Sequence, residues 1–505
     1  MIFEFILSQS PFLKPEKIRN LYREKTMDVR LQMLDENRWL IPMTANMRVP
    51  GLIFSNKMLM KDVQRDQSLI QVANVAQLPG IVGHSIAMPD MHWGYGFPIG
   101  GVAAFDMDEG IVSPGGVGYD INCGCRLMTT SLIAHEIRPY IKTLVSALFK
   151  NIPSGVGSKG LLHLSKKEEA QVAVKGASWA VKKGFGQSGD LDRIEDKGVM
   201  PDADPSILSD RAIARGLDQL GTLGSGNHFI EIQAVDKIYD KQTSKDFNLF
   251  LDQVVVFIHT GSRGFGYQIC DDFLKEMSSS AFSAGFHLPD RQLVCAPINS
   301  DTGRRYLSSM ACAANYAWAN RQILMHLSRE TFMSTMSVSP NELNMELLYD
   351  VCHNIAKKET HTVDGVETEL YVHRKGATRS LPPEHPLLPN IYRHTGQPVL
   401  IPGDMGTYSY VLSGPARSKE YSFDSCCHGA GRVMSRTRAV KMAKGRSIHK
   451  ELEDKGIYVQ SRGKRTLKEE IPEAYKNVSH VVDVVHKTGL GQKVARLRPL
   501  GVIKG

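Results

Sequence analysis

Cysteine, aspartate and histidine residues stand beside glycine at several separated places in this sequence. Asp120 and Cys123 lie three residues apart within a segment, residues 113–125, that begins Ser-Pro-Gly-Gly and is too glycine-rich for regular structure. Three histidines lie in comparable glycine- or asparagine-containing segments: His228, His259 and His353. Any one of them alone fits a structural, hydrogen-bonded role. Together the five side chains form the ligand set of a transition-metal site.

The number and kind of ions remain open at this point. A cysteine thiolate can bridge two ions, so the five ligands predict a centre of up to two metals. The general order of metal affinities favours zinc over manganese, so residue types alone do not fix the metal.

A fourth histidine, His428, lies in Cys-His-Gly-Ala-Gly-Arg, residues 427–432. It is either a further ligand or a nucleophile that attacks phosphorus through an imidazole nitrogen. Arg432 would then offset negative charge on the transferred group. Glycine-rich loops let backbone N–H groups approach phosphate, and two more occur at 152–160 and 402–406. The first resembles a phosphate-binding loop only loosely, and an ordinary surface loop is the alternative. A metal, a phosphate and a spare histidine together indicate phosphoryl or nucleotidyl transfer.

The elements that must position these residues alternate between strand and helix. Apolar runs at 254–258 and 398–401 end at the glycine motifs and predict buried strands. Helical periodicity predicts helices over 306–333, 346–358 and 432–455, the last a basic helix opened by Gly431 that could receive an anion. A solvated basic face is the alternative for that helix. These patterns predict a mixed α/β protein, and chemistry spread from Asp120 to His428 predicts one large catalytic domain.

Bulk properties narrow the class of protein without fixing it. The chain has 505 residues, ordinary globular composition and a net charge of +8, which suits a polyanionic partner or a cytosolic enzyme rich in lysine. Eight cysteines without a C-x-x-C pair predict reduced, intracellular thiols. No stretch is apolar enough to span a membrane, and the N-terminus is a poor signal peptide. Residues 1–26 are expected to be a variable extension, before a catalytic domain at 27–505.

Eight ordered motifs and the C-terminus carry a resemblance to a known family. They are residues 88–97 (Met-Pro-Asp-Met-His-Trp-Gly-Tyr-Gly-Phe), 113–124, 223–228, 259–264, 315–321, 349–354, 372–379, 428–432 and 497–505. On these the chain resembles the RtcB family of RNA-splicing ligases, from about Met27 to the last residue. The resemblance implies a single compact α/β domain with mixed sheets around a deep central cleft. It also implies an enzyme that uses GTP and manganese to join RNA 2′,3′-cyclic phosphate or 3′-phosphate ends to 5′-hydroxyl ends.

Residue by residue, the resemblance assigns Asp120, Cys123 and His228 to one manganese ion. It assigns Cys123, His259 and His353 to a second, with Cys123 bridging. His428 matches the histidine that becomes linked to GMP. The residues that match the guanylate pocket are Asn227, His228, Phe229, Ile230, Glu231, His353, Asn354, Pro402, Gly403, Asp404, Met405, Ser409, His428, Gly429, Ala430, Gly431, Tyr475 and Lys504.

The chain departs from the family pattern in places. Thr260 stands where serine is common, Tyr267 replaces a frequent histidine, and Pro402 and Asp404 alter a loop often richer in glycine. Residues 434–466 match the family pattern poorly, so the resemblance assigns no particular RNA contacts to them. Implied partners are broken RNA, such as tRNA exon halves, an archease-like activator and a helicase-containing complex, in the cytoplasm or nucleus. The alternatives are a metal-dependent phosphodiesterase or phosphatase acting on RNA ends, and a non-catalytic RNA-binding scaffold.

Overall fold

A computed structural model describes residues 29–505, apart from residues 45, 284–286 and 419. Strands and helices alternate along the chain and pack as one compact α/β domain, which confirms the predicted fold class. The predicted extension, residues 1–26, lies outside the described residues, so its boundary with a domain at 27–505 stays a prediction.

Two large sheets and two strand pairs form the β-structure. The seven-stranded sheet contains, in spatial order, Gln32–Met33, Arg38–Ile41, Gly51–Phe54, Ile81–His92, Ile99–Asp106, Val366–Lys375 and Asn354–Val363. The eight-stranded sheet contains Glu346–Cys352, Gly124–Ile133, Gln253–Thr260, Phe229–Ile238, Gln492–Lys504, Ser409–Ser413 and Val399–Ile401, with Tyr458–Ser461 parallel to Gln492–Lys504. The pairs are Ile111–Val112 with Ala296–Pro297, and Ala377–Arg379 with Ser425–Cys427.

The helices of the described chain pack around these sheets. They are Lys57–Val63, Ser68–Val75, Pro114–Val117, Ala134–Ile137, Ile141–Asn151, Lys166–Lys175, Ala177–Lys182, Asp210–Gly216, Lys241–Asp246, Arg263–Ser283, Asp301–Met336, Pro340–Leu343, Arg436–Met442, Ile448–Glu453, Lys464–Glu469 and Val478–Thr488. The longest, Asp301–Met336, begins after Ser300, whose hydroxyl accepts from the Gly303 N–H, and ends at Ser337 in the left-handed region. It is deeply buried and packs against several other helices.

Strand Gln253–Thr260 lies inside the eight-stranded sheet with every residue buried. Its run of three valines suits a strand that is covered on both faces. This strand and Val399–Ile401 confirm the two predicted strands, and helix Asp301–Met336 confirms the helix predicted over 306–333.

Two other predicted helices are wrong in kind or extent. Residues 346–358 form two strands that meet at His353, because the apolar run of Glu346–Cys352 is buried on both faces within the eight-stranded sheet. The basic helix predicted over 432–455 is two short helices, Arg436–Met442 and Ile448–Glu453. The first helix begins after Ser435 and not at Gly431, it ends at Met442, and Gly445, with a φ of 81°, lies in the turn that separates it from the second helix.

All eight cysteines are free and buried, as expected for reduced thiols. None of the helices in the described part of the chain combines the length and apolar composition that crossing a bilayer requires.

Candidate active site

The predicted metal ligands meet at one edge of the eight-stranded sheet. Four of them lie at the ends of four adjacent antiparallel strands: Cys123 before Gly124–Ile133, His228 before Phe229–Ile238, His259 within Gln253–Thr260, and His353 after Glu346–Cys352. The strand register places His259 opposite Cys125 on one side and Phe229 on the other. Because antiparallel neighbours run in opposite directions, strand starts and strand ends alternate at this edge, which is why residues far apart in sequence meet there.

The ligand atoms form two overlapping groups. Asp120, Cys123 and His228 make one group, and Cys123, His259 and His353 make the other, with all atoms of each group within 4.8 Å of one another. His228 Nε2 lies 2.8 Å from Asp120 Oδ2 and 3.4 Å from Cys123 Sγ, which is 3.3 Å from His259 Nε2. Metal–ligand bonds of about 2 Å place donors on one ion roughly 3 to 3.5 Å apart. The donor set therefore fits a cation in each group, with Cys123 common to both.

The protonation states of the histidines also suit a cation. Burial, and then neighbouring imidazoles, lower the pKa of His259 and of His353 well below the ordinary value, so both rings are neutral and can ligate. Burial alone would raise the pKa of Asp120, but His228 and Arg263 lower it to about 2. Burial, and then Asp120, raise the pKa of the Cys123 thiol well above its usual value. A cation bound here would displace that proton.

Residues behind the ligands orient them. His228 Nδ1 lies 3.0 Å from the Leu223 carbonyl oxygen, to which it can donate, leaving Nε2 to face the ligand group. The Thr260 hydroxyl donates to the same carbonyl at 2.7 Å, so the threonine keeps a hydroxyl bond at this position. Arg321, on the long helix, donates to the carbonyls of Asn122 and Thr260, which are the neighbours of two ligands. The buried Asp350 carboxylate accepts from Arg321 at 2.8 and 2.9 Å and holds it in place.

His428 follows strand Ser425–Cys427 and lies beside the ligands, with its ring centroid 4.8 Å from that of His353. Its Nδ1 is 2.6 Å from Asp90 Oδ2, and the same oxygen accepts from the backbone N–H groups of His428 and Gly429. Asp90 is completely buried. An Nδ1–H that donates to this carboxylate leaves Nε2 with its lone pair free, which is the form that a nucleophile requires.

Sequence reasoning gave no role to Asp90, although the residue lies in the Met-Pro-Asp-Met-His-Trp segment. Lys476, also unassigned, fixes the backbone around it, because its buried ammonium donates to the carbonyls of Pro89 and Met91. The sequence gave only one sign of a role for Asp90, namely that this charged residue stands in a largely apolar segment.

A cavity of about 450 Å³ opens onto both the predicted ligands and His428. Its lining includes Asp120, Cys123, His353 and His428, together with basic residues from two further segments, Lys375 and Arg436. This cavity corresponds to the expected central cleft.

A narrower cavity of about 50 Å³ also has His428 in its lining and shares Asn227 and Tyr475 with the larger one; His259 lines it as well. Most of the predicted guanylate residues line one of the two cavities: Asn227, Phe229, Glu231, His353, Asn354, Pro402, Gly403, Asp404, Met405, His428, Gly429, Gly431, Tyr475 and Lys504. Ile230 and Ala430 instead pack in the hydrophobic core, and His228 faces the ligand group. The Ser409 hydroxyl lies behind the pocket, where it accepts from Gln233 and from the Gly403 N–H.

The narrow cavity is lined by buried charges. Burial raises the pKa of Glu231 to about 7 and lowers that of Lys504. Glu470, which the sequence did not suggest, also lines this cavity. It accepts from Arg432 and Tyr475, and although burial opposes ionisation, Lys504 and Arg432 keep its pKa below the ordinary value. These groups offer a hydrogen-bonding acceptor and a cation to a ligand with complementary edges.

Other predicted phosphate contacts are placed differently. Arg432 lies before the first basic helix and is held by Glu470. Residues 152–160 form an irregular loop, and no helix starts directly after Lys159. The Lys159 ammonium pairs with the Asp218 carboxylate at 3.0 Å. This loop is therefore not a phosphate-binding loop of the familiar strand–loop–helix kind.

The fold and the site together define a mixed α/β protein with a cysteine- and histidine-rich ligand cluster beside a carboxylate-oriented histidine. The family model described as tRNA-splicing ligase RtcB matches residues 71–505. A protein of Methanococcus maripaludis named tRNA-splicing ligase RtcB is 52% identical over 459 residues, covering 91% of this chain and 95% of that protein. Proteins of the same name from Thermococcus kodakarensis and Archaeoglobus fulgidus are 52% and 51% identical, over 94% and 95% of this chain and 99% and 100% of their own lengths.

The chain belongs to the RtcB family.

Proposed function

We propose that this chain is an RNA ligase that joins 2′,3′-cyclic phosphate or 3′-phosphate ends to 5′-hydroxyl ends, with GTP as the energy source. The observation that carries the proposal is the pairing of His428 with Asp90 beside the ligand cluster. The relatives named tRNA-splicing ligase make tRNA exon halves the first substrate to test, within the cytoplasm or nucleus.

The chemistry follows from what His428 can do. Nε2 attacks the α-phosphorus of GTP, a P–N bond forms, and pyrophosphate leaves. The GMP then passes to the RNA 3′-phosphate, which converts a poor electrophile into one with a good leaving group. The RNA 5′-hydroxyl attacks that phosphate, the new phosphodiester forms and GMP departs; a cyclic phosphate must first be opened by water.

The remaining residues bind and orient. Asp90 keeps Nδ1 protonated and turned away from the phosphate. Glu231 accepts from the guanine edge and Lys504 donates to it, while Tyr475 and Asn227 complete the pocket wall. Asp120, Cys123, His228, His259 and His353 would hold two Mn²⁺ ions, which supply charge neutralisation and alignment of the phosphates when bound.

Incubation with α-labelled GTP and Mn²⁺ tests the proposal. The parent should retain label on His428, and His428→Ala should retain none. The same variant should still seal RNA that already bears the 3′-guanylate cap, because that step bypasses the nucleophile. Label that persists on the variant would assign the nucleophile elsewhere.

The second candidate function is a metal-dependent phosphodiesterase or phosphatase acting on RNA ends, which the ligand cluster alone would serve. That enzyme has no use for a nucleophilic histidine, so it predicts no labelled protein and a release of phosphate or of cleaved RNA instead. We further propose that an archease-like activator or a helicase-containing complex stimulates the ligase, which turnover assays with and without the added protein would test.

A further inference from the structure

Three tyrosines lead from the catalytic cavity towards the protein surface. Tyr95 and Tyr119 line the cavity, and Tyr119 is the residue directly before the predicted ligand Asp120. The Tyr119 ring lies edge-on to Tyr95, with centroids 5.8 Å apart, and is stacked on Tyr267 at 4.8 Å with 23° between the planes. Tyr267 is 46% exposed, so the row ends at solvent. The mechanism described above uses none of these rings.

The position of Tyr267 follows from its helix. It lies in the first turns of Arg263–Ser283, which begins directly after the His259 segment. Cys270, three residues later and therefore on the same helix face, lines the catalytic cavity. The helix thus turns this face towards the cavity. Tyr267 lies on the same face but is 46% exposed and does not itself line the cavity.

A basic residue accompanies the exposed ring. The guanidinium of Arg215, at the end of helix Asp210–Gly216, lies over the Tyr267 ring, 5.6 Å from its centroid, and must swing aside before a base can stack on the ring face that it covers. Arg215 has no ion pair with any residue that the structure describes. It is therefore free to pair with an incoming anion without breaking an existing ion pair.

An exposed aromatic ring beside an unpaired arginine is the combination by which proteins hold single-stranded nucleic acid. The ring stacks on a base, whatever its identity, and the arginine neutralises the adjacent phosphate.

We propose that Tyr267, supported from behind by Tyr119, is a stacking site for the nucleobase at an RNA end whose terminal group enters the cavity, and that Arg215 contacts the neighbouring phosphate. This inference rests on the proposed function for the identity of the ligand. It adds a base contact that does not read sequence and that belongs to the RNA and not to the guanylate.

The test measures RNA affinity directly, without ligation. Short RNAs labelled at the far end, bearing either a 3′-phosphate or a 5′-hydroxyl, are titrated against the full chain in Mn²⁺ without GTP, and Kd is read from fluorescence anisotropy. Each RNA is made twice, with its terminal base present or absent. Tyr267→Ala should raise Kd by roughly 5- to 100-fold for one intact end and leave Kd for the matching abasic end within about twofold of the parent.

Two variants control for other causes. Tyr267→Phe keeps the ring and should bind as the parent does. Tyr140→Ala removes a tyrosine of almost equal exposure, 47%, that does not line the catalytic cavity, and it should change neither value. The arm that responds, 3′-phosphate or 5′-hydroxyl, identifies which RNA end supplies the base.

Unchanged affinity of Tyr267→Ala in both arms would overturn the proposal. An equal loss for intact and abasic RNA would overturn it as well, because that pattern means a structural defect. GTP labelling of His428 is measured on the same samples. Absence of label in the parent would count against the proposed ligase while leaving the base-dependent comparison valid.

Discussion

Two regions lie beside His428, the predicted metal-ligand cluster and the narrow cavity, and they differ in how charge is arranged in them. In the predicted metal-ligand cluster, His259 and His353 are neutral rings fixed at strand ends, and His228 and Arg263 keep the pKa of Asp120 low. In the narrow cavity, Glu231, Glu470 and Lys504 are buried together and their charges partly compensate one another. The difference shows that in the first region the backbone holds the side chains in place, so metal binding there depends on which residue types occupy those positions. The second depends on charge state, and hence on pH and on the edge pattern of the bound base.

The largest effect is expected from the shared ligand. Cys123→Ser should lose bound metal and all ligation, because a serine hydroxyl is rarely ionised near neutral pH and cannot replace a bridging thiolate. Elemental analysis of the purified variant measures the loss. Cys125→Ser is the matched control: it is equally buried but belongs to neither ligand group, and it should retain metal. Full manganese occupancy in Cys123→Ser would contradict a bridging role.

The next effect concerns the boundary between the two regions. Asp90→Asn keeps the shape of the side chain but no longer fixes a proton on Nδ1 of His428, so Nε2 is presented in the wrong form. The rate of GTP labelling should fall by roughly 10²- to 10⁴-fold. Metal content and thermal midpoint should stay near those of the parent. A variant that labels at the parental rate would show that Asp90 does not orient the nucleophile.

A smaller effect is expected on nucleotide choice. An ionised Glu231 is a pure acceptor and a charged Lys504 a pure donor, which matches guanine and mismatches adenine. The parent should therefore prefer GTP over ATP in adduct formation by roughly 10²- to 10³-fold, and Glu231→Gln should lose most of that preference. Equal use of both nucleotides by the parent would remove Glu231 and Lys504 from the guanine pocket.

The same carboxyl predicts a dependence on pH. Burial raises the pKa of Glu231 to about 7, so below that pH the free protein holds a proton that the guanine edge must displace. Affinity for guanosine, which has no phosphate to titrate in this range, should rise by up to about tenfold per pH unit between pH 5 and 7 and level off above pH 7. Calorimetric titration checks this, and Glu231→Gln should give a flat profile over the same range.

The smallest effect per residue is expected from the basic surface. Arg438, Lys441 and Lys444 are exposed around the short Arg436–Met442 helix and are candidates for RNA phosphate contacts. RNA affinity should fall with salt at a slope of about −0.7 per phosphate contacted, and neutralising one of these residues should reduce the slope accordingly. GTP labelling should respond less. Equal salt dependence of both steps would leave the RNA surface unlocated.

The contrast between the two regions also explains what could be predicted from the sequence. Asp120, Cys123 and the three histidines are uncommon residue types in glycine-rich segments, so they signal chemistry before any fold is known. Asp90 gave no such signal, because its role arises only through contact with a residue 338 positions away. Glu470 stands in a Lys-Glu-Glu run that is typical of a solvated face, and it is buried only because Arg432 and Tyr475 cover it.

The secondary structure divides in the same way. The run of β-branched and apolar residues in Gln253–Thr260 is typical of a buried strand, so this strand could be predicted from the sequence. The segment around His353 has an apolar pattern that a helix and a doubly covered strand share, and only the neighbouring Gly124–Ile133 strand decides between them.

The order of the eight-stranded sheet has a consequence for synthesis of the chain on the ribosome. Strand Gln492–Lys504 lies inside the sheet, between Phe229–Ile238 and Ser409–Ser413. Lys504, at the end of this strand, lines the narrow cavity. A nascent chain in which residues 492–504 are not yet available for folding exposes two open strand edges and lacks one wall of that cavity. Binding in that cavity therefore requires this strand to be in place between its two neighbours, and until it inserts the open edges are a natural target for chaperones.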